Sequence, residues 1–432
     1  MSMHDLRHLG GIGDGVSDDG PILAEAARRC GVDGGGTIVV PTGTWLTGSL
    51  RLPSRTTLRL EAGATILGTR DPARYPLRRQ MWEGRMVEAP DALIWAGDAE
   101  DVTITGEGTV DGQGEDWWEA VRAGRLQHRP RLVSFQKCMR VRVEGVRLTR
   151  SPAWTIHPWR CRGVTIRDVT IFNPPSPNTD GIDPESCSDV IIRDCLIDVG
   201  DDAIVLKAGA AVGASEGFPP CERVVVSGCH IRRAHGGVVI GSEMSGGVRD
   251  VVVSDCTMLG TDRGIRIKTR RGRGGAVENL TVHNVLMREV GCPLVIHAYY
   301  RYTGLRPEDI SWAGSREPQP VDAGTPLIRG IRLHGVVADD VTGPCLAFLC
   351  GLPERPIADV GLYGCHLRHR ADPEQSEPAM MINRGPGDYP TCGLNAADVA
   401  GLRLEDCELR PRGGERVIAE RVVWAGTPLE MT

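Results

Sequence analysis

Arg142-Val143-Glu144-Gly145-Val146, Thr165-Ile166-Arg167-Asp168-Val169, Ile191-Ile192-Arg193-Asp194-Cys195 and Val225-Val226-Ser227-Gly228-Cys229 are four occurrences of one pattern. Each is a short strand-like run, interrupted by Gly or Asp and closed by a small apolar residue. The pattern returns at Val252-Val253-Ser254-Asp255-Cys256, Thr281-Val282-His283-Asn284-Val285, Arg332-Leu333-His334-Gly335-Val336, Gly361-Leu362-Tyr363-Gly364-Cys365 and Arg403-Leu404-Glu405-Asp406-Cys407. Gly, Asp and Asn tolerate a left-handed backbone, so the fourth residue of each run is expected to be a sharp bend. From bend to bend the spacings are 23, 26, 34, 27, 29, 51, 29 and 42 residues. A recurring period of 23–29 with occasional insertions describes coils of short strands stacked on one another. The helix-poor pattern makes this solenoid all-β, a parallel β-helix. Earlier rungs are expected at Thr57–Leu60 and Val102–Thr105.

The residue after the bend is Val, Val, Cys, Cys, Cys, Val, Val, Cys and Cys in turn along the chain. Two residue types exchanging in one column read as an interior stack, so Cys195, Cys229, Cys256, Cys365 and Cys407 are expected to be small buried hydrophobes. None of the 14 cysteines falls in a CxxC pair or at zinc spacing. Reduced thiols suit a reducing compartment, and Met1–Gly15 lacks an apolar leader core, so cytoplasmic residence is expected, with a secreted mature form left open. Near the start, Ser17-Asp18-Asp19-Gly20-Pro21 supplies helix-cap residues and a first-turn proline. A short amphipathic helix over Ile22–Cys30 is expected to cover the open end of the solenoid, within a cap region of about residues 1–35. No composition break interrupts residues 1–432, which read as one domain.

Apolar content of 41% supports a large core, while 55 glycines and 4% aromatics suit many turns and small stacked side chains. A net charge of −6 with no long basic block argues against nucleic acid, apart from the local stretch Lys268–Arg273. No run of 18 apolar residues is present, which argues against a membrane-spanning helix. Oligomeric state is not legible.

In stacked coils, equal offsets from the bend fall in one column, about 4.8 Å apart. Asp201 and His235 each lie seven residues after their bends, with Asp202 beside Asp201. Arg266 and Lys268 lie 11 and 13 after theirs, and Asp180 lies 12 after Asp168, its turn lengthened by Asn173-Pro174-Pro175-Ser176-Pro177. All six follow the second strand of consecutive coils and are expected on one lateral face. Taken singly, each has a plain explanation. Asp201-Asp202 reads as a solvated turn, Asn178-Thr179-Asp180-Gly181 as another, and His235 as a hydrogen-bonded structural histidine. Arg266-Ile267-Lys268 alternates like a strand with one face in water. Their joint placement is harder to explain structurally, because adjacent carboxylates repel by about 4 kcal/mol at about 4 Å and an effective dielectric near 20. A protein keeps such a cluster when it needs a protonated acid beside an ionised base, the requirement for cutting a glycosidic bond. Calcium held by Asp180, Asp183, Asp201 and Asp202 for β-elimination is the rival reading; an imidazole in the same column fits it less well.

At these residues the sequence resembles glycoside hydrolase family 28, the polygalacturonases and their relatives. The motifs are Asn178-Thr179-Asp180, Gly200-Asp201-Asp202, Ala234-His235-Gly236 and Arg266-Ile267-Lys268, in the family's order. Gly13-Asp14-Gly15-Val16-Ser17-Asp18-Asp19 and Gly108-Thr109-Val110-Asp111-Gly112-Gln113-Gly114 extend the resemblance; Ala234 departs from the family's usual glycine. The resemblance implies a right-handed, pectin-lyase-like β-helix and an inverting hydrolysis of galacturonate linkages without metal or cofactor. It implies Asp201 as general acid, Asp180 and Asp202 as bases on water, and His235 supporting the acid's protonation. Asn178, Arg266, Lys268 and Tyr300 are expected to hold the acidic sugar of an oligosaccharide or pectic polymer. Trp117, Trp118 and Arg131 lie in one long insertion and Tyr299, Tyr300 and Tyr302 in another, and either could wall off a groove. The segment Gly241-Ser242-Glu243-Met244-Ser245-Gly246-Gly247 resembles bacterial exo-acting members, so exo action is expected. Arg270, Arg271 and Arg273 read equally as anionic subsites or as a solvated turn. A lyase or a non-catalytic carbohydrate-binding β-helix are the alternatives on the same fold.

Overall fold

The computed structural model describes residues 2–173, 176–210, 217–302 and 304–426; Pro174 and Pro175, in the insert ahead of Asp180, lie outside them. All nine expected bends are left-handed. Asp168, Asp194, Asp255, Asn284 and Asp406 have φ of 52–56°, and Gly145, Gly228, Gly335 and Gly364 have φ of 57–75°. A second left-handed column, not anticipated, precedes the first by five residues in every coil: Arg140, Gly163, Asp189, Arg223, Asp250, Asn279, Gly330, Asp359 and Gly401. Polar side chains link successive bends within a column, as Asn284 Nδ2 donates to Asp255 Oδ1 at 2.6 Å and Asn279 Nδ2 to Asp250 Oδ1 at 2.9 Å.

The chain divides into two compact units, Met1–Asp202 and Ala203–Thr432. In the first, strands Glu100–Gly106, Met139–Glu144, Arg162–Arg167 and Ser188–Arg193 pair in parallel, and their register stacks Ile104, Val143, Ile166 and Ile192, each fully buried. Branched aliphatics fit such a pleated, covered face. Thr109–Asp111, Arg147–Thr149, Thr170–Phe172 and Leu196–Asp198 form a second ladder, and Leu50–Arg51, Ile94–Gly97, Val133–Gln136 and Ile156–Trp159 a third. Each coil thus carries three short strands.

Helix α1 runs from Gly20 to Val32 with Pro21 in its first turn, and buries Leu23, Ala26, Ala27 and Cys30 against the first rungs. The expected cap chemistry differs in one respect. Asp19 does not cap the helix with its side chain; its carboxylate accepts the backbone N–H groups of Ile12 and Gly13 at 2.8 and 2.9 Å, closing the preceding loop. The antiparallel hairpin of Leu77–Trp82 with Arg85–Pro90 was not expected from the repeat.

The second unit by itself has the same architecture. Val226, Val253, Val282, Leu333, Leu362 and Leu404 stack in register along parallel strands. The third strands are Gly236–Gly241, Arg263–Lys268, Cys292–His297, Cys345–Cys350 and the first half of Cys392–Glu405. All 14 cysteines are buried free thiols, and the residues after the nine bends are all at most 7% exposed, as an interior column requires.

Candidate active site

In the first unit, one carboxylate oxygen from each of Asp180, Asp201 and Asp202 lies within 4.8 Å of the others. Two turns of the coil produce this. The turn from Asn178, left-handed at φ 48°, delivers Asp180, and the turn after Leu196–Asp198 delivers Asp201 and Asp202. Gly200 lets the two turns approach, because a Cβ there would stand 2.0 Å from the Ser176 carbonyl. Buried Thr179 joins them, its hydroxyl accepting the Gly200 N–H at 3.3 Å. The Gly181 N–H donates to the Asp202 carbonyl at 3.0 Å, and the Asp180 carbonyl accepts from Thr155 at 2.8 Å. Asp180 and Asp202 are 4% and 1% exposed, whereas Asp201 is half-buried. Exposed Asn178 donates from Nδ2 to Asp201 Oδ2 at 3.3 Å, and the Asp202 N–H donates to Asp201 Oδ1 at 2.9 Å.

Two cations beneath this cluster were not singled out from sequence. Burial pulls the Arg129 guanidinium down to about 10, against the pull of Asp180, Glu83 and Asp201, and Arg129 donates to the carbonyls of Pro152 and Pro177. Arg131, noted only as part of an insertion, is wholly enclosed, 4.7 Å from the rings of both Trp82 and Trp154. Burial brings it too to about 10, with Glu185, Asp183, Glu83 and Asp180 opposing. His157 Nε2 lies 3.0 Å from Glu185, both enclosed. Trp117 and Trp118 do not wall a groove. Both are buried, Trp117 edge-on to Tyr75 and Trp118 donating to the Ser151 carbonyl at 2.9 Å, where they anchor the insertion.

In the second unit, His235 is exposed in the turn between His230–Arg232 and Gly236–Gly241. Arg266 and Lys268 alternate on Arg263–Lys268 and flank one ring: the Arg266 guanidinium is 5.5 Å and the Lys268 ammonium 5.1 Å from the Tyr300 centroid. This strand has no solvated face; all six residues are buried. His297, in register with Lys268, was missed. Burial, reinforced by the charges of Arg266, Lys268 and Arg263, holds it well below the ordinary imidazole range, so it is neutral near pH 7. Its Nδ1 faces the Tyr299 N–H at 3.4 Å.

The Gly241–Gly247 segment is a braced turn. Lys207 Nζ lies 3.0 Å and Arg273 Nη2 3.6 Å from buried Glu243. Burial works to raise that carboxyl, yet Lys207 and Arg273, with Lys268, hold it well below the usual carboxylate range. Arg270, Arg271 and Arg273 are 5%, 2% and 4% exposed, so the turn is not solvated. Arg271 is committed to Glu354 at 2.7 and 2.9 Å and to the carbonyls of Trp312, Ala313 and Ser315, which leaves it no room as a subsite.

A sequence model of Glycosyl hydrolases family 28 matches residues 30–310. The chain belongs to that family. A "Probable polygalacturonase" of Vitis vinifera is 34% identical over 368 residues, 82% of this chain and 72% of that protein. The structure of a hyperthermoactive exopolygalacturonase from Thermotoga maritima superposes with a TM-score of 0.77 at 28% identity, over 95% of this chain and 92% of that one. A Yersinia enterocolitica family 28 exopolygalacturonase, 20% identical, shares the fold with a TM-score of 0.81 over 99% of this chain and 79% of that one. This family 28 chain is an enzyme, a glycoside hydrolase, on the right-handed parallel β-helix of its relatives.

Proposed function

We propose that this family 28 hydrolase cleaves α-1,4-linked galacturonate chains, removing units from one end. The observation that carries this reading is the convergence of Asp180, Asp201 and Asp202 within 4.8 Å on a chain of this family. Asp201, the most exposed of the three, gives its proton to the leaving glycosidic oxygen. Asp180 and Asp202 take the proton of a water whose oxygen bonds to the anomeric carbon as the old C–O bond breaks. His235 supports the protonation of Asp201, and Asn178 orients its carboxylate. Arg266 and Lys268, backed by Tyr300, hold the sugar carboxylate, a role suited to a bidentate guanidinium and an ammonium. Inversion is supported by the family resemblance; a generic inverting pair stands roughly 6.5–9.5 Å apart, wider than this cluster.

Exo action is supported by the similarity to the Thermotoga maritima exopolygalacturonase. The test is product analysis on defined oligogalacturonates, with and without chelator. Monomer as the sole early product, without an unsaturated uronide, is expected. A mixture of internal fragments overturns exo action. A chelator-sensitive, UV-absorbing product overturns hydrolysis in favour of calcium-dependent elimination, for which three converging carboxylates are also suitable ligands.

A further inference from the structure

Beyond Tyr300 the second unit encloses a cavity of about 220 Å³, lined by Tyr299, Phe348, Cys350, Arg384 and Asn395 among others. It lies on the ladder that carries the two cations of the site. In register, Arg266 is followed by Val295, Phe348 and Asn395, and Lys268 by His297, Cys350 and Ala397. At about 4.8 Å per strand, Phe348 stands roughly 10 Å along the ladder from Arg266.

The charges around this cavity leave one cation unspent. Arg316 pairs with Asp398 at 2.9 Å and touches Cys350 Sγ at 2.9 Å, and Glu420 is taken by Arg421. Arg384 has no carboxylate partner among the described residues; its guanidinium rests 5.9 Å from the Phe348 ring and 5.0 Å from that of Tyr389. Tyr299 supplies a second unspent group. Its side chain is fully buried, and its hydroxyl has no hydrogen-bond partner among the described residues. Burial pushes that hydroxyl up to about 12, so it stays a donor at neutral pH. The placement is built in by backbone pairing: Ile382 donates to the Tyr299 carbonyl at 2.8 Å, and Arg301 Nη1 donates to the Arg384 carbonyl at 3.1 Å.

We propose that this cavity is a second sugar-acid site, in which Arg384 pairs with the carboxylate while the Tyr299 hydroxyl and Asn395 amide bond to ring hydroxyls. Its identification with a uronate rests on the substrate reading above; its need for a carboxylate rests on Arg384 alone. The ligand is either a distal unit of the bound chain or a free sugar acid. Arg384→Gln removes the charge on a half-buried side chain, and Tyr299→Phe removes a hydroxyl without a hydrogen-bond partner among the described residues, so both variants are expected to melt close to wild type.

The experiment compares kcat/KM on tetragalacturonate with that on digalacturonate, alongside binding of galacturonate and neutral galactose followed by NMR. A tetramer-to-dimer ratio about tenfold lower in Arg384→Gln, and several-fold lower in Tyr299→Phe, is expected. Monomer binding weakened by both variants with an unchanged ratio assigns the cavity to a free sugar acid. Unchanged ratio and unchanged monomer binding in both variants overturn the site. If wild type cleaves neither oligomer, the substrate reading fails, and monomer binding with its dependence on Arg384 decides the cavity alone.

Discussion

Asp201 differs from its two neighbours in access, being half-buried while Asp180 and Asp202 are almost enclosed. A group that must reach a leaving oxygen needs that access, whereas bases acting on a small water do not. Asp201→Asn keeps the shape and the Asn178 contact but cannot donate the same proton, so kcat on oligogalacturonate is expected to fall by about 10²–10⁴ with an unchanged melting temperature. Residual activity within a few-fold of wild type would remove Asp201 from the chemistry. Lys268→Met tests the proposed contact to the sugar carboxylate. Loss of a charge-assisted contact worth about 1.5–3 kcal/mol should raise KM roughly ten- to a hundredfold, with a smaller effect on kcat. An unchanged KM would show that Lys268 does not hold the acid. The sequence singles out Asp201 by an offset from its bend that His235 shares, and Lys268 by its place after the second strand of its coil. It does not single out Arg129 or His297, since nothing in a local pattern marks a side chain that acts from behind, through burial and through charges brought close only by stacking.

The strand Arg263–Lys268 shows where alternation misleads. Polar residues at alternate positions imply a wet face, yet Arg266 and Lys268 are 1% and 6% exposed; the Tyr300 ring flanks both, and Met380 Sδ lies 3.1 Å from the Arg266 guanidinium. The bends were legible as small polar residues, but the second left-handed column was not: Arg140 and Arg223 occupy it without any turn signal, held there by the coil itself. The 310–325 insertion is likewise fixed from afar. Arg271 ties it down through a pair with Glu354 whose side chains are 1% and 4% exposed. Removing one partner of a buried pair leaves an uncompensated charge, so Glu354→Gln is expected to cost about 3–5 kcal/mol in denaturant unfolding. A loss below about 1 kcal/mol would mean the insertion holds without this staple.

At the scale of the whole molecule, the repeat fixes the fold and also gives it an acid limit. Stacked coils enclose polar groups that an unstacked chain would expose to protons. Buried His369 is one: burial lowers it to about 4, and its Nδ1 accepts the Arg412 N–H at 3.1 Å, a bond that requires the neutral ring. His297 shifts in the same direction. The unfolded chain takes up these protons near pH 6.5, the folded chain only at lower pH. Between those values the unfolded state binds more protons, so stability is full above about pH 7 and declines as pH falls towards 4. His369→Asn keeps an acceptor for Arg412 and removes the titration. Its melting temperature should therefore decline less steeply than wild type between pH 7 and 4.5, whatever its value at pH 7. His297 is unsuited to this test, because it borders Lys268 and its loss would change the site as well. Parallel melting curves for the His369→Asn and wild-type proteins across that range would show that His369 carries no share of the acid sensitivity, leaving it to His297.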